Sequence, residues 1–211
     1  PAEDLLFRSD FIEVANNAIY QIADGITDVA VVVGFPERDG DNLYNSAAVL
    51  YQGVILACYR KQALPNYGVF DEQRYFTAGI QPCVFEFNGI FIGLTICEDV
   101  WKNGIIDANK EAGAELLLTL NASPFNAGKI HQREAIICQQ VKAASIPLFY
   151  VNQIGGQDEL IFDGASFVAN SQGHIVFRAK EFQEQISVIE FDGNNPLLSS
   201  CAPLYKEISS E

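Results

Sequence analysis

Apolar positions along this chain switch between a helical period of about 3.6 residues and strand-like runs or alternations with a period of about two. In "SDFIEVANNAIYQIADG", residues 9–25, Phe11, Ala15, Ala18 and Ile22 share one helical face. Asp10 with Glu13 forms a capping box there, and Gly25 ends the helix. "TDVAVVVGFPE" is a short β-branched run bounded by turn residues and predicts a buried strand. "SAAVLYQGVILACYRK" predicts two strands turned at Gln52-Gly53, and "CVFEFNGIFIGLTIC" a hairpin whose Asn88-Gly89 suits a two-residue type I′ turn. The second strand of that hairpin is apolar on both faces and is expected between layers. A short helix is expected after Trp101, then a buried strand in "AELLLTLNASP". "KIHQREAIICQQVKAAS" returns to helical period, with Ile130, Ile137, Val141 and Ala144 on one side. "IPLFYVNQIGG" predicts a strand, "GASFVANSQGHIVFRA" a hairpin and "EQISVIEFD" a last strand. Residues 193–211 lose periodicity and read as a tail or the start of a linker. Buried strands alternating with amphipathic helices and interrupted by hairpins imply an α/β layered domain.

Composition narrows the function classes. A chain of 211 residues, 49% hydrophobic with mean hydropathy +0.10, suits one globular domain with a substantial core. A net charge of −14 and an isoelectric point near 4.4 argue against nucleic acid or anionic membrane as partners. No apolar run is long enough to span a bilayer, and no signal-peptide pattern opens the chain. The five cysteines (58, 83, 97, 138 and 201) are odd in number and scattered through apolar runs. Free thiols in a reducing, cytoplasmic compartment are the expectation, with no metal site. The chain starts at Pro1 and holds no methionine, so it reads as a fragment or a processed chain.

Candidate chemistry centres on "GLTICEDVW", residues 93–101. Cys97 ends an apolar run and is followed at once by two carboxylates, which disfavour a thiolate. On its own it reads first as an inert core thiol, as most free cysteines are; its place at a strand end, where side chains reach a cleft, and the following backbone N–H groups, which can serve an oxyanion, favour a nucleophile. His174 falls in a hairpin turn and His131 on a helix, so both read as solvated residues rather than bases. Lys61, where a strand gives way to "QALPNYG", can favour a thiolate and stabilise charge on a substrate oxygen.

"YRKQALPNYGVFDEQRYF", "GLTICEDVW", "NASPFNAGK" and "YVNQIGGQDELIFDGASF" together resemble the amidase (glutaminase) domain of the glutamine-dependent NAD synthetases, in the nitrilase superfamily. The resemblance runs from Pro1 to about Asp192, giving a glutaminase domain over 1–192 and a tail over 193–211. It implies a nitrilase-like αββα sandwich, truncated at its N-terminus, and a Glu–Lys–Cys triad. By motif, Cys97 is then the nucleophile and Lys61 the catalytic lysine, with the backbone N–H of Glu98 in the oxyanion hole. Tyr67, Glu98, Ser123 and Lys129 would hold the glutamine. The family's general-base glutamate lies just upstream of "PAEDL", and neither Glu3 nor Glu37 occupies its place; Glu37 is expected to cap or salt-bridge a loop. Such a chain is expected to hydrolyse glutamine poorly by itself.

No "SGGxDS"-type phosphate loop occurs. The resemblance therefore implies no cofactor in this domain. ATP, Mg and the deamido-NAD substrate would belong to a separate C-terminal synthetase domain that receives the ammonia. A homo-oligomer is expected from the same resemblance. Another nitrilase-type carbon–nitrogen amidohydrolase, or a non-catalytic assembly domain, are the alternative readings.

Overall fold

Gln52 and Gly53 have φ of 48° and 79°, and Asn88 and Gly89 have φ of 52° and 80°. Two successive left-handed residues are what a type I′ hairpin turn demands, and both predicted hairpins form around them. The structure, a computed structural model, describes residues 3–193 and 196–203. It divides into two compact units, 1–114 and 115–211, where composition alone suggested one domain.

The first unit holds α1 (Ser9–Asp24), β1 (Val31–Asp39), β2 (Asn42–Tyr51), β3 (Val54–Arg60), β4 (Cys83–Phe87), β5 (Ile90–Ile96) and α2 (Ile105–Glu111). β1, β2 and β3 form an antiparallel sheet in that order, and β4 pairs with β5. Ile19 and Ala23 of α1 pack with Ala48 and Leu50 of β2, joined by Val33, Phe35 and Ile55. Three expectations shift here. The face of α1 that is buried is Ile12, Ile19 and Ala23, one residue round from the predicted one, and Ile22 is exposed. Asp10 does not cap α1 but receives the Arg8 guanidinium at 2.6 Å. β1 is half-buried rather than buried, because among the described strands it pairs with β2 alone and forms an edge.

The second unit holds β6 (Leu116–Asn121), α3 (Lys129–Ala144), β7 (Leu148–Asn152), β8 (Ile154–Gln157), β9 (Leu160–Asp163), β10 (Phe167–Ala169), β11 (Ile175–Arg178), β12 (Gln185–Phe191) and β13 (Pro196–Pro203). β6 and β7 run parallel, which requires a crossover, and α3 supplies it. β10 and β11 extend the sheet on the β7 side, antiparallel. Leu117, Ile137, Val141, Leu148, Tyr150 and Phe167 are buried, and the rings of Tyr150 and Phe167 stack at 4.9 Å. α3 also buries Arg133 and Glu134, polar residues outside its predicted apolar face.

Two elements of this unit differ from the sequence reading. The single strand expected over "IPLFYVNQIGG" divides into β7 and β8, and β8 pairs with β9, for which no element was expected, in a separate hairpin turning at Asp158 (φ 50°). Residues 196–203, read as an irregular tail or linker, form β13 and pair antiparallel with β12. Alternating apolar positions of "PLLSSCAP" are too few to reveal a strand whose pairing is supplied by a preceding one. Residues 194–195 and 204–211 of the same stretch lie outside the described residues. Among the described residues no helix is long and apolar enough to cross a membrane.

Candidate active site

Cys97 sits where β5 ends and a short 3-10 segment, Cys97–Trp101, begins, and its φ is 47°. A left-handed, non-glycine backbone costs about 1–3 kcal/mol and persists only where its surroundings hold it. The holder is Asp99, which is fully buried. Its carboxylate accepts the Ile96 N–H at 2.8 Å on one side of Cys97, and on the other the N–H groups of Gln62 (3.2 Å) and Ala63 (2.8 Å), directly after Lys61. The Tyr59 hydroxyl donates to the same carboxylate at 2.8 Å. Burial pushes Asp99's carboxyl above its ordinary value, against the hydrogen bonds from Ala63, Ile96 and Tyr59 and the charge of Lys61. One side chain thus staples the cysteine turn to the lysine loop.

Lys61 follows β3 and is 1% exposed. Its N–H donates to the Asn45 carbonyl and its carbonyl accepts from Gly79 N–H, both at 2.8 Å. Gly79 approaches so closely that a Cβ there would lie 2.1 Å from the Arg60 oxygen, so no other residue fits. The loop after Lys61 then returns a carboxylate to it. Lys61 Nζ donates to Glu72 Oε1 at 2.6 Å and Oε2 at 2.8 Å, and Glu72 keeps 20% of its side chain exposed. Sequence reasoning missed Glu72, because an acidic residue in a turn-rich loop is indistinguishable from a solvated one.

Tyr67, in the same loop, donates its hydroxyl to Glu98 Oε1 at 2.8 Å. Burial, then Glu98's hydrogen bond and charge, push the Tyr67 phenol up to about 12. Glu98 is itself 8% exposed, so a nearly buried carboxylate stands next to Cys97 with one hydroxyl and, at 4.0 Å, the Lys102 ammonium upon it. Its backbone N–H belongs to the first turn of the 3-10 segment, where leading N–H groups have no partner within the segment. Four of the six predicted site residues are therefore linked within the first unit.

Ser123 and Lys129 belong to the second unit. Ser123 follows β6, is buried, and donates its N–H to Asn152 Oδ1 at 2.9 Å. Lys129 opens α3 and is half-buried. A cavity of about 550 Å³ in this unit, walled by Phe149, Val151, Phe167, Phe177, Ile186 and Ile189 among others, includes none of the six.

The other thiols and carboxylates have different surroundings. Burial, reinforced by Glu37's charge, pushes Cys58 up to about 12, the opposite of an activated thiol. Glu37 lies in β1, not in a loop, and receives the Arg60 guanidinium and the Ser46 hydroxyl. His131 and His174 are exposed, as expected. No cluster of metal-ligating side chains occurs among the described residues.

A strand-end cysteine on a strained turn, tied through Asp99 to the loop that follows a buried lysine, is one feature; the whole chain carries a second. Residues 25–195 match the carbon–nitrogen hydrolase family model. The chain belongs to the carbon–nitrogen hydrolase family. It is 39% identical over 99% of its length to the glutamine-dependent NAD(+) synthetase of Acinetobacter baylyi, and 41% identical over 91% to that of Aquifex aeolicus. It spans 40% and 34% of those proteins. The structure of the glutamine-dependent NAD+ synthetase from Acinetobacter baumannii superposes with a TM-score of 0.88 and 39% identity, over 98% of this chain and 40% of that one. A Nesterenkonia amidase of the nitrilase superfamily shares the fold at 24% identity (TM-score 0.72, 83% of this chain and 67% of that one). This carbon–nitrogen hydrolase has the nitrilase-like α/β fold that the motifs implied.

Proposed function

We propose that this carbon–nitrogen hydrolase is a glutaminase, the ammonia-producing part of a glutamine-dependent NAD synthetase. The observation that carries the reading is that Asp99 ties the left-handed turn of Cys97, through the Ile96 N–H, to the loop directly after Lys61, through the Gln62 and Ala63 N–H groups. Its likeness to curated synthetases over nearly the whole chain supports the choice of glutamine. The Cys97 sulfur attacks the side-chain amide carbon, forming a C–S bond. Lys61 and the Glu98 N–H hold the resulting oxyanion. The C–N bond then breaks and ammonia departs with a proton. Water hydrolyses the thioester, releasing glutamate and the thiol.

Glu98's carboxylate, already held by Tyr67, receives the substrate's ammonium, with Ser123 and Lys129 as further contacts. Glu72 is assigned as the positioning residue of Lys61, fixing its ammonium by two hydrogen bonds. The proton-transferring glutamate, and the ATP, Mg and deamido-NAD chemistry that consumes the ammonia, are assigned to parts of the protein outside this chain. The test is release of ammonia and glutamate from glutamine by the complete gene product. Activity lost in Cys97→Ser and selective for glutamine over other amides supports the reading. Equal activity on simple amides points to a different amidohydrolase of the family, and no amide hydrolysis to a non-catalytic domain.

A further inference from the structure

The second unit contains a buried polar chain that ends on Ser123 and has no apolar equivalent. Asn152 is the last residue of β7. Its carboxamide accepts the Ser123 N–H at 2.9 Å and turns its Nδ2 to the Gly164 carbonyl at 2.8 Å and to Asp163 Oδ1 at 3.2 Å. Its own N–H donates to Ser166 Oγ at 2.9 Å. Asp163 in turn receives the Arg133 guanidinium, Nη2 to Oδ2 at 3.2 Å and Nη1 to Oδ1 at 3.5 Å. That guanidinium lies 5.4 Å over the Tyr150 ring, and Nε of Arg133 is buried without a hydrogen-bond acceptor. Arg133, Asp163 and Ser123 are 1–2% exposed and Asn152 is 7% exposed.

A buried ion pair is weak as a source of stability, since desolvation offsets most of the attraction. An orphaned Nε adds to the cost. What such a chain does supply is fixed geometry: Asn152 has three partners and one orientation that satisfies them all. The loop carrying Ser123 leaves the sheet immediately after β6; Pro124 and Phe125 are held by a bridge to Phe162 and a bond to the Ile161 carbonyl, while the N–H of Ser123 itself is held by Asn152.

We propose that Asn152 is a positioning residue for Ser123, anchored by the Asp163–Arg133 pair, and that it sets glutamine affinity rather than thiol reactivity. This rests on the glutaminase reading, in which Ser123 touches the substrate. Cys97 and Lys61 are held by Asp99 in the first unit, so loosening Asn152 removes a binding contact without loosening the nucleophile's own support.

The test compares Asn152→Ala and Ser166→Ala with the parent in the complete gene product. KM and kcat for glutamine are measured, together with the rate at which iodoacetamide, too small to need the glutamine contacts, alkylates Cys97. Losing one hydrogen-bonded contact costs about tenfold to 10²-fold in an equilibrium constant. Asn152→Ala should accordingly raise KM by about tenfold to 10²-fold, leaving kcat and the alkylation rate within about threefold. Ser166→Ala removes the acceptor of the Asn152 N–H but keeps the Asn152–Ser123 bond and the ion pair, and should raise KM less, so it reports even if the variant at 152 does not fold. An unchanged KM in the variants overturns the positioning role alone. Alkylation and KM shifting together also overturn it, since a general loosening of the fold would do that. Absence of glutamine hydrolysis by the parent overturns both this inference and the glutaminase reading.

Discussion

Two buried cation–carboxylate pairs, one in each unit, have opposite surroundings. Lys61 is sealed at 1% exposure but its partner Glu72 stays 20% exposed, whereas Arg133 and Asp163 are sealed on both sides at 1% and 2%. The first pair is open to solvent on its carboxylate side only. The second has no route for substrate and connects only to other protein groups, Asn152 and then Ser123. In the reading proposed above, the same ionic chemistry serves reaction in the first place and placement in the second, and the two carboxylates differ in exposure accordingly.

Arg133→Met should break this comparison most severely. It strands Asp163 as an uncompensated buried charge, and the expected loss is about 3–5 kcal/mol, read as a lower denaturant midpoint. Replacing both partners by apolar residues should recover much of it; no recovery would mean that the pair itself is a net stabiliser.

Lys61→Met should cost far less stability, about 1 kcal/mol, because Glu72 can rehydrate through its exposed side. Its kcat for glutamine should nevertheless fall by about 10²–10³-fold, the effect of removing one oxyanion donor. A stability loss as large as that of Arg133→Met would show that the two pairs are not different in kind.

Asp99→Asn turns an amide N–H₂ toward groups that are all donors, Tyr59 OH and three N–H groups. About 1–3 kcal/mol of stability should be lost, with thiol alkylation altered as the Cys97 turn relaxes. Unchanged alkylation would dissociate the staple from the cysteine.

The smallest effect concerns Glu37. Its burial alone would raise its pKa, but hydrogen bonds from Arg60 and Ser46 outweigh that and hold the carboxyl below its ordinary value. A depressed carboxylate contributes stability that is present above the unfolded value, near 4, and is lost as pH falls through the lower folded value. Glu37→Gln should flatten the acid limb of the stability profile by at most about 1 kcal/mol, with no change at glutamine turnover.

Legibility from sequence followed the range of the interaction. Hairpins at Gln52-Gly53 and Asn88-Gly89 were readable because a two-residue turn encodes its own left-handed backbone. Cys97 and Lys61 were paired only by the resemblance, since 36 positions separate them and no local pattern joins them. Glu72, Asp99 and the Arg133–Asp163–Asn152 chain were invisible for the same reason: an isolated charge in a loop or on a helix looks solvated until a distant partner covers it. The strand over residues 196–203 escaped because its pairing partner, β12, supplies what its own pattern lacks.

The central claim is that Cys97 faces an assembled glutamine pocket. Intact mass of the complete gene product, before and after incubation with a diazoketone glutamine mimic, tests it most directly. The account predicts one adduct, absent in Cys97→Ser and suppressed by excess glutamine. No adduct on the complete protein, or an adduct that survives Cys97→Ser, would contradict it.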